Sequence, residues 1–376
     1  MSEQNIAALT MPKWGMSMTM GKVVGWLEEE GTDIEQGDEI LEIETEKTVN
    51  VMEASNAGKL VRIVAQVGDE LPVGALLGVV AQADLAEEAI DDFITEFQKN
   101  FVPLNNDSAV DEGPSKVMLD GDITIAYSNL PAQAEGDAPP IIFIHGFGGD
   151  RKGWLFNSGD LSAYNEVYTL DLPGHGESSK EVGEGSLDFL AGTVARFMIA
   201  VNVSVAHIVG HSLGAAVAVS LAEKYSDRVA SLTLIAGLGN RTEVSRDYIE
   251  GFLGAKRRKA LKPYMQQLFA NGDMVSRGMI EDVLKARRME GAEDCLRKIA
   301  NRAVLCKTGV STEQNLLQLS MPVQVIWGRK DQVAPVSQVI DLPAALKVTV
   351  LEDAGHMVHM EAAKDVNHLI SEFIAG

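Results

Sequence analysis

Cysteine is nearly absent from this chain: Cys295 and Cys306 are the only two among 376 residues. A disulfide framework is therefore excluded as the basis of the fold, and a cytoplasmic setting is favoured. No His/Cys cluster accompanies them, so no structural zinc site is expected. The sequence also lacks any run of about 18 apolar residues that could cross a membrane. Its first residues, Met1-Ser2-Glu3-Gln4-Asn5, have neither the basic nor the apolar region of a signal peptide. Basic residues are scarce, with 32 Lys and Arg against 54 Asp and Glu and a formal net charge of −22. Such an acidic surface argues against nucleic acid. Residues 1–112 hold 23 acidic and 6 basic side chains, a balance of −17, which leaves −5 for the remainder. A solvated acidic surface accounts for most of this excess; a basic docking partner is the sharper reading.

Apolar residues make up 46% of the chain, ample for globular cores, and the length suggests two or three domains. The N-terminal part is an internal repeat. Gly21-Lys22-Val23-Val24 recurs as Gly58-Lys59-Leu60-Val61, and the same offset of 37 residues relates Gly31 to Gly68 and Gly37 to Gly74. Each half reads as strand, glycine turn, strand, glycine turn, strand. At the junction, Glu44-Thr45-Glu46-Lys47-Thr48 separates the apolar alternations Leu41/Ile43 and Val49/Val51, the pattern of a β-hairpin with a lysine at its tip. A lone exposed lysine is ordinarily only a solvated side chain. This one falls at the symmetry point of a repeat.

Together with Met11-Pro12-Lys13-Trp14-Gly15-Met16-Ser17-Met18 and the acidic Gly31–Asp38 region, the Glu46-Lys47-Thr48 hairpin resembles a lipoyl domain of 2-oxo-acid dehydrogenase-type acyltransferases. The resemblance spans residues 5 to about 80 and implies an all-β lipoyl carrier domain over residues 1–80. Biotin carriers share that fold but usually flank the lysine with methionines, so the implied cofactor is lipoate covalently bound at Lys47. Residues 81–115 are expected to be an acidic linker with a short helix: Ile90, Phe93, Ile94, Phe97 and Phe101 fall at helical spacing among Asp and Glu. That helix either packs on its own chain or docks a partner.

From Lys116 onward short apolar strands alternate with helical stretches, predicting an α/β domain over 116–376 with a mostly parallel sheet of about eight strands. The strand Ala206–Val209 runs into Gly210-His211-Ser212-Leu213-Gly214, and a helical pattern starts at once. A G-x-S-x-G between strand and helix lifts a serine toward a helix N-terminus, where N–H groups favour developing negative charge. Serine needs a base and the base an orienting acid, in the chain order Ser…Asp…His. Asp331 after strand Val323–Trp327 and His356 after strand Val348–Leu351 occupy strand-end loops suited to those roles. His145, His211 and His359 are assigned structural places. The backbone N–H groups of Phe147 and Leu213 are the expected oxyanion donors.

These motifs, with Asp171-Leu172-Pro173-Gly174-His175-Gly176, resemble the α/β-hydrolase fold, with a helical cap inserted over about 240–320. A lipoyl carrier fused to such a domain resembles the acyltransferase component of an acetoin dehydrogenase complex. The resemblance implies acetyl transfer from S-acetyl-dihydrolipoyl-Lys47 to coenzyme A, with a thiamine-diphosphate-dependent acetoin-cleaving component and a dihydrolipoyl dehydrogenase as partners in an oligomeric complex. The H-x-x-x-D-G signature of standard oxo-acid acyltransferases is missing, so transfer falls to Ser212, His356 and Asp331. Lys256, Arg257, Arg258 and Lys259, the densest basic cluster, are candidate contacts for coenzyme A phosphates or else a solvated cap face; Arg287-Arg288 adds to the cap's positive character. Two other readings stay open: hydrolysis of the acyl group as a thioesterase or carboxylesterase, and a scaffold with an unused triad.

Overall fold

The structure is a computed structural model that describes residues 6–12, 18, 20–35, 37–45, 48–54, 57–81, 85–101, 114–134, 136–239, 242–306, 316–340 and 342–375. The chain forms two compact units, Met1–Glu112 and Gly113–Gly376.

In the first unit, eight strands form two four-stranded sheets: β1 (Ile6–Thr10), β2 (Met20–Trp26), β3 (Asp33–Ile34), β4 (Glu39–Thr45), β5 (Thr48–Glu53), β6 (Gly58–Ile63), β7 (Glu70–Pro72) and β8 (Leu76–Ala81). Their orders are β1-β8-β6-β3 and β5-β4-β2-β7. The repeat is visible in the hydrogen bonds. Gly31 N–H donates to Leu60 O and Gly68 N–H to Val23 O, both at 2.8 Å, and each pair of equivalents lies 37 residues apart. Gly31 and Gly68 both turn at positive φ (93° and 96°), a conformation that L-residues adopt at a cost. Leu9, Val23, Ile40, Ile43, Leu60 and Leu77 fill the space between the sheets.

Helix α1 (Glu87–Asn100) belongs to this unit. It packs against β8 with Ile90 buried, Arg62 donates to Asp91 at 2.9 Å, and Phe101 reaches the core beside Gly74. The apolar stripe of the linker is thus used within its own unit, which then extends to Glu112. The strands β4 and β5 pair out to Thr45 opposite Thr48. Glu46 and Lys47, between them in sequence, lie outside the described residues, as does the Lys13–Ser17 stretch.

The second unit is built on one eight-stranded sheet in the order β16-β15-β14-β13-β11-β12-β10-β9. Here β9 is Ser115–Leu119, β10 Ile123–Leu130, β11 Ile141–Ile144, β12 Val167–Leu170, β13 Ala206–His211, β14 Val229–Ile235, β15 Val323–Gly328 and β16 Lys347–Leu351. Strands β11 to β16 run parallel; β9 and β10 are antiparallel additions at one edge. The central strands are buried throughout, as a sheet covered by helices on both faces requires. Helices α2 (Leu155–Leu161), α3 (Leu187–Ala200) and α4 (Leu213–Lys224) belong to these layers, with a C-terminal helix at Ala363–Ile374. Between β14 and β15 the chain leaves the sheet for a cap whose described helices include α5 (Arg246–Gly254), α6 (Arg258–Gln266), α7 (Arg277–Arg287) and α8 (Ala292–Ile299). The cap has its own apolar core, made by Ile249, Phe252, Leu261, Phe269 and Ile280 among others. Among the described residues, no helix is long and apolar enough to cross a membrane.

Candidate active site

Strand β13 ends at His211 and α4 begins at Leu213, so Ser212 alone makes the turn. It does so at φ 53° and ψ −110°, a strained backbone for a residue with a side chain. Its N–H donates to Ile235 O at 2.8 Å. Three glycines permit the turn. A Cβ on Gly214 would meet the carbonyl oxygens of Ile144 and His145, one on Gly210 would meet Gly214 itself, and one on Gly237 would stand 2.8 Å from Ser212 O.

The other two residues arrive on neighbouring strand ends. His356 Nδ1 lies 2.8 Å from Asp331 Oδ2, and both side chains are buried. Asp331 Oδ1 accepts the N–H groups of Val333 and Ala334, each at 2.8 Å. The carboxylate is thus held by backbone on one oxygen and holds the imidazole with the other, which fixes Nδ1 as the protonated nitrogen and leaves Nε2 free to accept. Ser212 is half-buried, and its hydroxyl makes no hydrogen bond to a described residue. The catalytic contact of such a pair commonly tightens only with substrate bound.

The loop after β11 lies against the elbow. A Cβ on Gly146 would be 3.3 Å from Ser212 Cβ, so glycine is what allows this approach. The next N–H, of Phe147, and the N–H of Leu213 have no acceptor among the described residues. They are two spare donors on the segments that flank the serine. His145 fastens the loop from behind: Leu172 N–H donates to its Nε2 at 3.0 Å, and its Nδ1 donates to Gly146 O at 2.8 Å. Asp171, fully buried, accepts from Arg151 N–H and its guanidinium at 2.7 Å and from Glu177 N–H at 2.8 Å. The Asp-x-Pro-Gly-x-Gly segment is therefore a brace.

His211 does more than fill the variable place of the elbow. Its Nε2 donates to His356 O at 3.0 Å, and its ring lies 4.8 Å from that of His356 and 4.6 Å from that of His359. Burial pushes the pKa of His211 well below its ordinary value, and that of His359 down to about 3. Both are neutral packing groups. Glu361, unsuspected from sequence, links the cap to this region. Its carboxylate accepts Ala270 N–H and Gly355 N–H, each at 2.7 Å, while Met357 N–H donates to Leu268 O at 2.9 Å. The residues on either side of His356 are thereby tied to the cap segment Leu268–Ala270.

The basic residues divide. Lys256, Arg257, Arg258 and Lys259 are exposed around the start of α6. Lys256 stands 3.5 Å from Glu293 and Arg258 3.5 Å from Glu281, exposed pairs of small worth. Arg287 departs from the expectation of a positively charged cap surface. It is buried, and its guanidinium donates to the carbonyls of Phe252, Leu253 and Ala255, closing the C-terminus of α5. Among the described residues, no cluster of His, Cys, Asp or Glu could hold a metal ion.

Two family models match: one for a biotin-requiring enzyme, of the biotin/lipoyl type, over residues 7–80, and one for the alpha/beta hydrolase fold over residues 139–363. The chain is thus an attachment domain for a lysine-linked cofactor joined to an α/β-hydrolase fold. It is 42% identical over 372 residues, 98% of each chain, to the dihydrolipoyllysine-residue acetyltransferase component of the acetoin cleaving system of Pseudomonas putida. The component of the same description from Cupriavidus necator is 40% identical, covering 99% of this chain and 98% of that one. The chain belongs to this family of acetoin cleaving system acetyltransferase components. Among solved structures, a meta-cleavage product hydrolase from Pseudomonas fluorescens IP01 superposes with a TM-score of 0.61 at 22% identity, over 69% of this chain and 97% of that one, a likeness of fold.

Proposed function

We propose that the chain is the acetyltransferase component of an acetoin dehydrogenase-type complex, transferring an acetyl group from lipoyl-Lys47 to coenzyme A through Ser212. The observation that carries this reading is the pairing, in one chain of a lipoyl-type family, of a strained serine elbow with a buried His356–Asp331 couple. The lipoyl group supplies a long tether that presents an acetyl thioester at high effective concentration. His356 Nε2 takes the Ser212 proton as Oγ attacks the thioester carbonyl. The Phe147 and Leu213 N–H groups receive the oxyanion, and His356 returns the proton to the departing thiol. The acetyl-serine is then attacked by the coenzyme A thiol, deprotonated by His356, which regenerates Ser212 Oγ–H. Asp331 holds the Nδ1 proton throughout.

The exposed Lys256–Lys259 cluster supplies positive charge for the coenzyme A phosphates. The partners that this role requires are a thiamine-diphosphate-dependent acetoin-cleaving component and a dihydrolipoyl dehydrogenase. The free cysteines Cys295 and Cys306 suit a cytoplasmic setting. The test is to trap the intermediate: with an acetyl thioester supplied and acceptor thiol withheld, peptide mass mapping should find acetyl on Ser212. Acetyl on Lys47 lipoate alone, with Ser212 never modified, contradicts the serine route.

A further inference from the structure

The cap contributes a polar group to this region that no described residue pairs with. Tyr248 lies on α5 with 4% of its surface exposed. Its helix is anchored next to the acid: Ser245 N–H donates to Val333 O at 2.9 Å, and Val333 N–H donates to Asp331 Oδ1 at 2.8 Å. One turn further on, Phe252 stacks on the Tyr248 ring at 6.0 Å and reaches the oxyanion loop, meeting Phe147 edge-on at 6.0 Å. A Cβ on Gly148 would stand 2.7 Å from the Phe252 ring. The helix that carries Tyr248 therefore runs from the Asp331 loop to the Phe147 loop, and Tyr248 itself belongs to the apolar core of the cap.

A buried tyrosine hydroxyl normally finds a hydrogen-bond partner. That of Tyr248 has none among the described residues. Burial and the nearby Asp331 carboxylate push its pKa up, so the group stays a neutral O–H donor.

We infer that the Tyr248 hydroxyl hydrogen-bonds the incoming acceptor thiol, donating to the carbonyl of an amide close to the reacting sulfur. This rests on the proposed transfer from acetyl-Ser212 to a thiol. The two thiol arms differ in one respect. A cysteamine-type thiol, as in coenzyme A, carries an amide two carbons from its sulfur, whereas the dihydrolipoyl arm is hydrocarbon between its thiols and the distant lysine amide. A single donor beside Phe252 in the apolar core of the cap can satisfy the first arm and has nothing to bind on the second. A site with one buried hydrogen-bonding group discriminates by leaving that group unpaired with the wrong ligand. Tyr248 is thus a specificity residue for the acceptor.

The test uses the full chain with Ser212 acetylated from p-nitrophenyl acetate, offering N-acetylcysteamine, which has the amide, against 1-propanethiol, which lacks it. In Tyr248→Phe the kcat/KM preference for N-acetylcysteamine should fall about tenfold relative to the parent. An unchanged preference, or an equal loss for both thiols, overturns the inference while leaving Ser212 transfer intact. A parent chain that releases only acetate and acylates neither thiol overturns the transfer reading and this inference with it.

Discussion

Four buried imidazoles, His145, His175, His211 and His359, lie near the strand ends that carry Ser212, Asp331 and His356, and burial lowers the pKa of each. The unfolded chain binds protons at these groups below an ordinary value near 6.5, and the folded chain does not. Their contribution is therefore fully present above that pH and is lost as pH falls, at up to about 1.4 kcal/mol per histidine per pH unit. For His359 the window runs from 6.5 down to about 3. Hydrogen exchange at β13 amides should show global stability falling between pH 6.5 and 4.5, and His359→Phe should flatten that slope by about one proton; an unaltered slope would show that His359 is already protonated in the fold. At this scale the sequence was most legible where a residue sits in a local context. Ser212 could be placed because an apolar strand, two glycines and a helix surround it, and Asp331 and His356 because each follows a strand. Tyr248 gave no such signal, since its importance lies in a bond that it does not make. Arg287 looked like surface charge because its partners are backbone carbonyls more than thirty positions away.

Among the elements, the cap is the part that the sequence revealed least. A gap between two strands indicated an insertion, yet its attachment to the His356 loop depends on Glu361 reaching Ala270 across 91 positions. No period or motif encodes that contact. Glu361→Gln replaces one carboxylate oxygen with an NH2 group facing an N–H, so at least one of its backbone bonds must break. Ester turnover should drop roughly tenfold as His356 loses its fixed position, with faster amide exchange at Ala270 and Gly355. Turnover at the parent rate with that exchange raised would show that the cap link does not position the base. The strands were easier to read, because burial on both faces leaves continuous apolar runs such as Ile141–Ile144. The helix α1 was legible by period alone, but which surface its stripe would cover was not; it covers β8 and the carrier core.

At the scale of the whole molecule, acidic charge is concentrated in the carrier unit, while the cap holds the densest basic cluster. Ion pairs with Glu293 and Glu281 engage Lys256 and Arg258 only at the exposed surface, where water and salt weaken them. The cluster can therefore exchange those partners for phosphates. Replacing Arg257 and Arg258 together by Ala should raise the KM for coenzyme A about tenfold, an effect that shrinks with added salt, with little change in p-nitrophenyl acetate turnover; an unchanged KM would leave the cluster as a solvated face. The central claim is that Ser212 relays the acyl group between two thiols. Its most direct test starts from chain acetylated on reduced lipoyl-Lys47, to which coenzyme A is added while acetyl-CoA and free acetate are followed. The parent should form mainly acetyl-CoA, and Ser212→Ala should lose it by at least about a thousandfold. Equal acetyl-CoA formation by the Ser212→Ala chain would contradict the account.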